Sequence, residues 1–103
     1  MNLTKFLPLT ETTFYIMLAL KEPAHGYSVM QKVEKLSDGK VRIAAGTMYG
    51  ALDNLTKQKL IESVKSEDAR RKVYKLTDAG HEVLKLEIMR LRHIIKIAEE
   101  FGF

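Results

Sequence analysis

Ala45-Gly46-Thr47-Met48-Tyr49-Gly50-Ala51-Leu52-Asp53-Asn54-Leu55 reads as one helix with two unlike sides. Met48, Leu52 and Leu55 recur at steps of four and three, so one side faces a core. The other side carries Gly46, Thr47, Gly50 and Asn54, which are small or hydrogen-bonding. A merely solvated helix face would be rich in Lys and Glu, which form helices well and keep a surface soluble. Two glycines there cost about 1 kcal/mol each against alanine. Such a face is built to come close to something. A small polar helix surface flanked by cations suits the floor of a DNA major groove, with phosphates on either side.

Working outward from this helix, residues 1–9 read as an N-terminal arm, with Pro8 keeping helix from starting earlier. Thr10 is the expected N-cap of a first helix and Glu11 suits its first turn. Phe14, Met17 and Leu18 carry that helix toward a break at Glu22-Pro23-Ala24. Tyr27, Met30, Val33 and Leu36 mark a second amphipathic helix that stops near Ser37-Asp38-Gly39. Val41 to Ile43 is a short extended lead into the third helix, which runs to about Gln58 or Lys59. Leu60 to Lys65 and Lys72 to Thr77 read as two strands around the polar turn 66–71. Three helices and a hairpin in this order predict a winged helix-turn-helix. The fold class is thus mainly α with a small β-hairpin.

A last helix begins at Thr77-Asp78-Ala79-Gly80. Its apolar residues Leu84, Ile88, Leu91, Ile95 and Ala98 follow a heptad seam. Over twenty residues of helix reach about 30 Å, more than so small a domain can cover. Pairing with a second copy, and with helix one or the arm, accounts for the seam better than folding back on its own domain does. Phe101 and Phe103 point the same way, since they would otherwise be exposed apolar groups. The expected organisation is a winged domain over residues 1–77, with its arm, and a dimerisation helix over residues 78–103.

Composition excludes several classes. The chain has 103 residues, enough for one domain with a modest core. No apolar run reaches the roughly 18 residues of a membrane span, so no membrane partner is expected. The early apolar run is broken by Thr10, Glu11, Thr12 and Thr13, which argues against a signal peptide. Cysteine is absent, which removes disulfides and thiolate metal sites and fits a cytoplasmic protein. His25, His81 and His93 show no metal-ligand spacing, and His25 reads as a structural histidine bonded to a loop carbonyl. No nucleophile, phosphate-binding loop or carboxylate pair suggests an enzyme, and no cofactor is expected. The net charge is +4, and it is unevenly spread. Residues 40–75 hold nine cations against four anions, an excess of five, so the middle of the chain points to a polyanion.

Three local runs resemble one family. They are Leu18-Ala19-Leu20 with a proline and His25-Gly26-Tyr27; Gly46-Thr47-Met48-Tyr49-Gly50-Ala51-Leu52; and Arg70-Arg71-Lys72-Val73-Tyr74-Lys75-Leu76-Thr77-Asp78-Ala79-Gly80. In this order and spacing the chain resembles the PadR-type bacterial transcription regulators, over roughly Thr10 to Leu86. The resemblance implies a homodimeric repressor with a winged domain and one C-terminal dimerisation helix, as in the short subfamily. It also implies release from a double-stranded DNA operator by a small hydrophobic or aromatic effector at the dimer interface.

The candidate DNA-binding residues are Gly46, Thr47, Tyr49, Gly50 and Asn54 on the third helix, with Lys65, Arg70, Arg71 and Lys72 on the wing. Thr47 and Asn54 suit base edges, and the wing cations suit phosphates. Tyr49 either packs inward beside Met48 or offers its hydroxyl to a phosphate. The candidate dimer residues are Leu84, Ile88, Leu91, Ile95, Ala98 and Phe101. The competing readings are a solvated hairpin tip, with Glu67 and Asp68 balancing the cations, and a winged module that binds a protein instead of DNA.

Overall fold

A computed structural model of the chain describes residues 2–64 and 71–103. Among these residues four α-helices and a small sheet follow one another as α1 (Glu11–Ala19), β1 (Ala24–His25), α2 (Gly26–Leu36), α3 (Ala45–Lys57), β2 (Ile61–Val64), β3 (Val73–Leu76) and α4 (Asp78–Glu100). The arm is not wholly irregular, because Leu3–Phe6 form a 3-10 turn in which the Thr4 amide donates to the Asn2 side chain.

The helix starts follow from their caps. The Thr10 hydroxyl accepts from the Thr13 amide at 3.1 Å, which opens α1. Thr77 does the same for α4, accepting from the Gly80 amide at 3.1 Å. Its hydroxyl also donates to the Lys59 carbonyl at 2.7 Å, and its amide donates to the Leu60 carbonyl at 3.1 Å. One threonine therefore caps α4 and ties it to the turn that ends α3. That turn holds Lys59 at φ +63°, a left-handed position that glycine occupies more cheaply.

The sheet is larger than a hairpin. Its strand order is β1-β3-β2, all antiparallel. The segment at Pro23, read from sequence only as a break, leads into the third strand: Ala24 pairs with Tyr74 and His25 with Val73. This pairing stitches the return strand of the wing to the start of α2. Val41 to Ile43 lies outside the sheet, with Val41 and Ile43 buried as the chain approaches α3.

The core gathers Ile16 and Met17 of α1 with its C-cap Leu20, Val29 and Val33 of α2, Met48 and Leu52 of α3, and Leu60, Ile61 and Val83. In α2 and α3 these residues form the apolar stripe of an amphipathic helix, whereas α1 is apolar on most of its surface. The first turns of α4 join this core through Gly80, Val83 and Leu84.

Glu87 is the one charged side chain buried among the described residues, at 1% exposure. Its carboxylate accepts from the Leu9 amide at 2.7 Å and from the Arg90 guanidinium. It fastens the arm to α4. The hydrogen bond from Arg90, opposed by burial and helped by the Leu9 amide, holds the Glu87 carboxyl below its ordinary value. A lowered carboxyl contributes stability above the ordinary Glu range and loses it as pH falls through the lowered value. Glu87→Gln is expected to cost about 1.5–3 kcal/mol at neutral pH, the worth of hydrogen bonds to a charged group. Urea unfolding checks this: the gap between wild type and variant should close as the carboxylate protonates in acid.

Candidate nucleic-acid interface

α3 begins at Ala45 with no side-chain cap, so the fold leaves the amides of its first turn without a capping side chain. Met48, Leu52 and Leu55 are buried, and Gly46, Thr47, Gly50, Asp53, Asn54 and Lys57 are exposed. The two glycines are decisive. A Cβ built on Gly46 or on Gly50 meets nothing within 4 Å. The fold itself has no use for their missing side chains, although each costs helix stability of about 1 kcal/mol. Gly26 and Gly80 contrast with them, because a Cβ there would lie 2.7 Å from the Tyr49 ring and 1.9 Å from the Leu60 carbonyl oxygen. Those two are required from within. Gly46 and Gly50 are free to serve something outside.

Tyr49 resolves into neither of its two expected states alone. It is 46% exposed, and its ring lies against Gly26 at the start of α2. This contact explains why His25-Gly26-Tyr27 and the α3 run occur in one chain: the glycine makes room for the tyrosine.

On the wing side of α3, an open cleft of about 520 Å³ is lined by His25, Tyr27, Ser28, Tyr49, Asp53, Arg71, Lys72 and Tyr74. The β1–β3 pairing brings Arg71 and Lys72 to this place, beside the first turn of α2. Both are exposed. Lys65 and Arg70, the other wing residues expected to meet phosphate, lie outside the described residues. Burial pushes the Tyr74 hydroxyl above its ordinary value, and the Asp53 carboxylate and then Tyr49 add to the rise. The expected loop-carbonyl bond of His25 is not found at Nδ1, which is buried with no hydrogen-bond partner among the described residues.

On the other side of α3, Asn54 and Gln58 share a shallower cleft with Lys5 and Phe6 of the arm. Asp53 and Asn54, about 100° apart around the helix, thus face the wing and the arm respectively. The sequence reading named Asn54 and passed over Asp53. It also missed His25, Tyr27, Ser28 and Tyr74, which no local spacing connects to α3.

The seam of α4 divides in two. Leu84 is 5% exposed and already part of this chain's own core, so it is not free for a partner, and Ile88 is half-buried. Beyond them every residue from 91 to 103 is exposed. Leu91, Ile94, Ile95, Ile97, Phe101 and Phe103 stand out as large apolar groups, with Ile95 57% and Phe101 78% exposed. No helix among the described residues is long and apolar enough to cross a membrane.

Comparison with known proteins agrees with this geometry. The family model described as "Transcriptional regulator PadR-like family" matches residues 16–86. The chain is similar to the X-ray structure of a PadR-like transcription factor from Bacteroides fragilis, with TM-score 0.74 and 28% identity over 87% of this chain and 88% of that one. It is also similar to a PadR family transcriptional regulator from Eggerthella lenta, with TM-score 0.72 and 26% identity over 87% and 80% of the two chains. Among curated proteins it is 31% identical over 65 residues to the transcriptional regulator YqjI of Escherichia coli, covering 63% of this chain and 31% of that one. The chain spans between a fifth and a third of the length of the curated relatives it matches.

Proposed function

The chain belongs to the PadR-like family of transcriptional regulators, a family of DNA-binding proteins rather than enzymes, and on that premise we propose that it is a dimeric repressor that reads a palindromic operator through α3. The observation that carries this reading is the pair Gly46 and Gly50, exposed on α3 with open space where their side chains would be. In a major groove that space is taken by base edges. In this reading Thr47 and Asn54 supply the hydroxyl and amide that meet them, while Tyr49, Arg71 and Lys72, with Lys65 and Arg70, serve the phosphates. The protein works in the cytoplasm, where its operator lies.

Dimerisation is supported by the apolar residues that α4 leaves exposed beyond Ile88. Two copies related by a two-fold axis carry two α3 helices, so the half-sites lie about one or two DNA turns apart. A small hydrophobic or aromatic effector seated among those α4 residues changes the spacing of the two helices, and only one spacing matches successive grooves. Leu91→Glu places a charge in the seam and costs self-association about 3–5 kcal/mol, the penalty of an uncompensated buried charge. Analytical ultracentrifugation should find a folded monomer, and a normal dimer contradicts the seam.

The wing provides the test of DNA contact. Arg71→Ala combined with Lys72→Ala should weaken binding to all duplex sequences alike. It should also lower the slope of log affinity against log salt by about two, roughly 0.9 for each phosphate that is no longer neutralised. Fluorescence anisotropy over a salt series measures both quantities. A loss confined to one sequence means that the wing reads bases, and an unchanged slope means that it does not touch the backbone.

A further inference from the structure

We propose that Asp53 is a specificity-determining residue, accepting a hydrogen bond from the 4-amino group of a cytosine in each half-site. The inference rests on the placement of α3 in the major groove proposed above, and it adds to that reading an anionic side chain that the small, neutral face had concealed.

Asp53 lies on α3 one turn after Tyr49 and one turn before Lys57, and its side chain is exposed in the cleft shared with Arg71 and Lys72. Among the described residues no ion pair holds it, and of the acids without one it is the acid that α3 carries into this cleft. The carboxylate thus stands, with no direct ion pair among the described residues, on the surface proposed to meet a polyanion. The other described residues of that cleft are neutral or cationic, so among them Asp53 is the one that repels phosphate.

A carboxylate held against DNA is tolerated where a donor meets it. In the major groove the donors are the amino groups of cytosine and adenine, while guanine and thymine offer acceptors toward a protein. Adenine sets its N7 acceptor beside its amino group, which opposes the second carboxylate oxygen. Cytosine presents the amino group without such an acceptor. Asp53 thus favours cytosine and penalises the other three bases, and it also penalises DNA docked out of register. An asparagine at the same place offers a donor and an acceptor together, the pair that matches adenine.

The experiment is selection of bound sites from random duplex DNA by the full chain, run in parallel for wild type, Asp53→Asn and Asp53→Ala. Circular dichroism confirms that the variants fold. Wild type should enrich a cytosine at one position of each half-site, with replacement there weakening binding about 10- to 100-fold. Asp53→Asn should shift that one position toward adenine. Asp53→Ala should lose the preference there, keep it elsewhere, and bind unrelated DNA more tightly than wild type. If both variants select the same sites as wild type, or lose affinity equally for all sequences, Asp53 does not read a base. A wild type that enriches a site without the variants altering it overturns this inference and leaves the major-groove reading standing. A wild type that enriches nothing overturns both.

Discussion

Gly80→Ala should unfold the chain far more readily than its small size suggests. The added Cβ would sit 1.9 Å from the Leu60 carbonyl oxygen and 2.9 Å from its carbon, both backbone atoms that no rotamer change can move. Relief requires α4 to back away from the turn after α3. That movement breaks the Thr77 amide bond to Leu60 and strains the Thr77 hydroxyl bond to Lys59. The expected cost is about 3–5 kcal/mol, at the upper end of what overpacking does, because the clash and the broken hydrogen bonds act together. In a domain of this size that is a fall in melting temperature of roughly 15 °C or more. Gly50→Ala is the control. It adds the same methyl group to open space and should stabilise α3 by about 1 kcal/mol. Thermal melts of both variants check the contrast, and equal effects in the two places would contradict the packing described here.

Gly50→Leu should separate folding from binding. The first side-chain atom meets nothing within 4 Å, and leucine forms helix better than glycine, so circular dichroism and melting temperature should stay at or above the wild-type values. In the groove it occupies the volume that base edges need. Operator affinity should fall to the non-specific level, a loss of about 10³-fold or more. Electrophoretic mobility shifts on the selected operator and on unrelated DNA measure it. If the variant binds the operator as wild type does, α3 is not the helix in the groove.

Much of this architecture is legible in the chain because local chemistry repeats what the tertiary fold demands. Thr10 and Thr77 announce helix starts by their position before apolar periodic runs, and Met48, Leu52 and Leu55 announce their buried face. β1 is not legible, since two residues after a proline carry no periodicity and become a strand only by pairing with Tyr74 and Val73. The heptad seam of α4 has a similar limit. Leu84 and Ile95 fit one repeat equally well, yet the first is consumed by its own core and the second is left exposed, which depends on where the domain ends along the helix.

The candidate site shows the same division. Residues on one face of α3 follow from helical spacing, so Thr47, Gly50 and Asn54 could be grouped without coordinates. Asp53 needed them. Its charge argued against the neutral surface that the glycines suggested, and only its exposure beside Arg71 and Lys72 shows that it shares the cleft. The packing of Tyr49 on Gly26 is likewise a contact between motifs, and neither motif contains it. Gly80 could be quoted from sequence as part of a run, but its reason is a backbone carbonyl twenty residues away in the chain.

Selection of bound sequences from random duplex DNA by the wild-type chain, followed by competition against unrelated DNA at fixed salt, tests the central claim most directly. The account predicts one enriched inverted repeat, with half-sites about one or two helical turns apart, preferred over unrelated DNA by about 10³-fold or more. Enrichment of no sequence, with binding that falls with salt equally for every duplex, would contradict it.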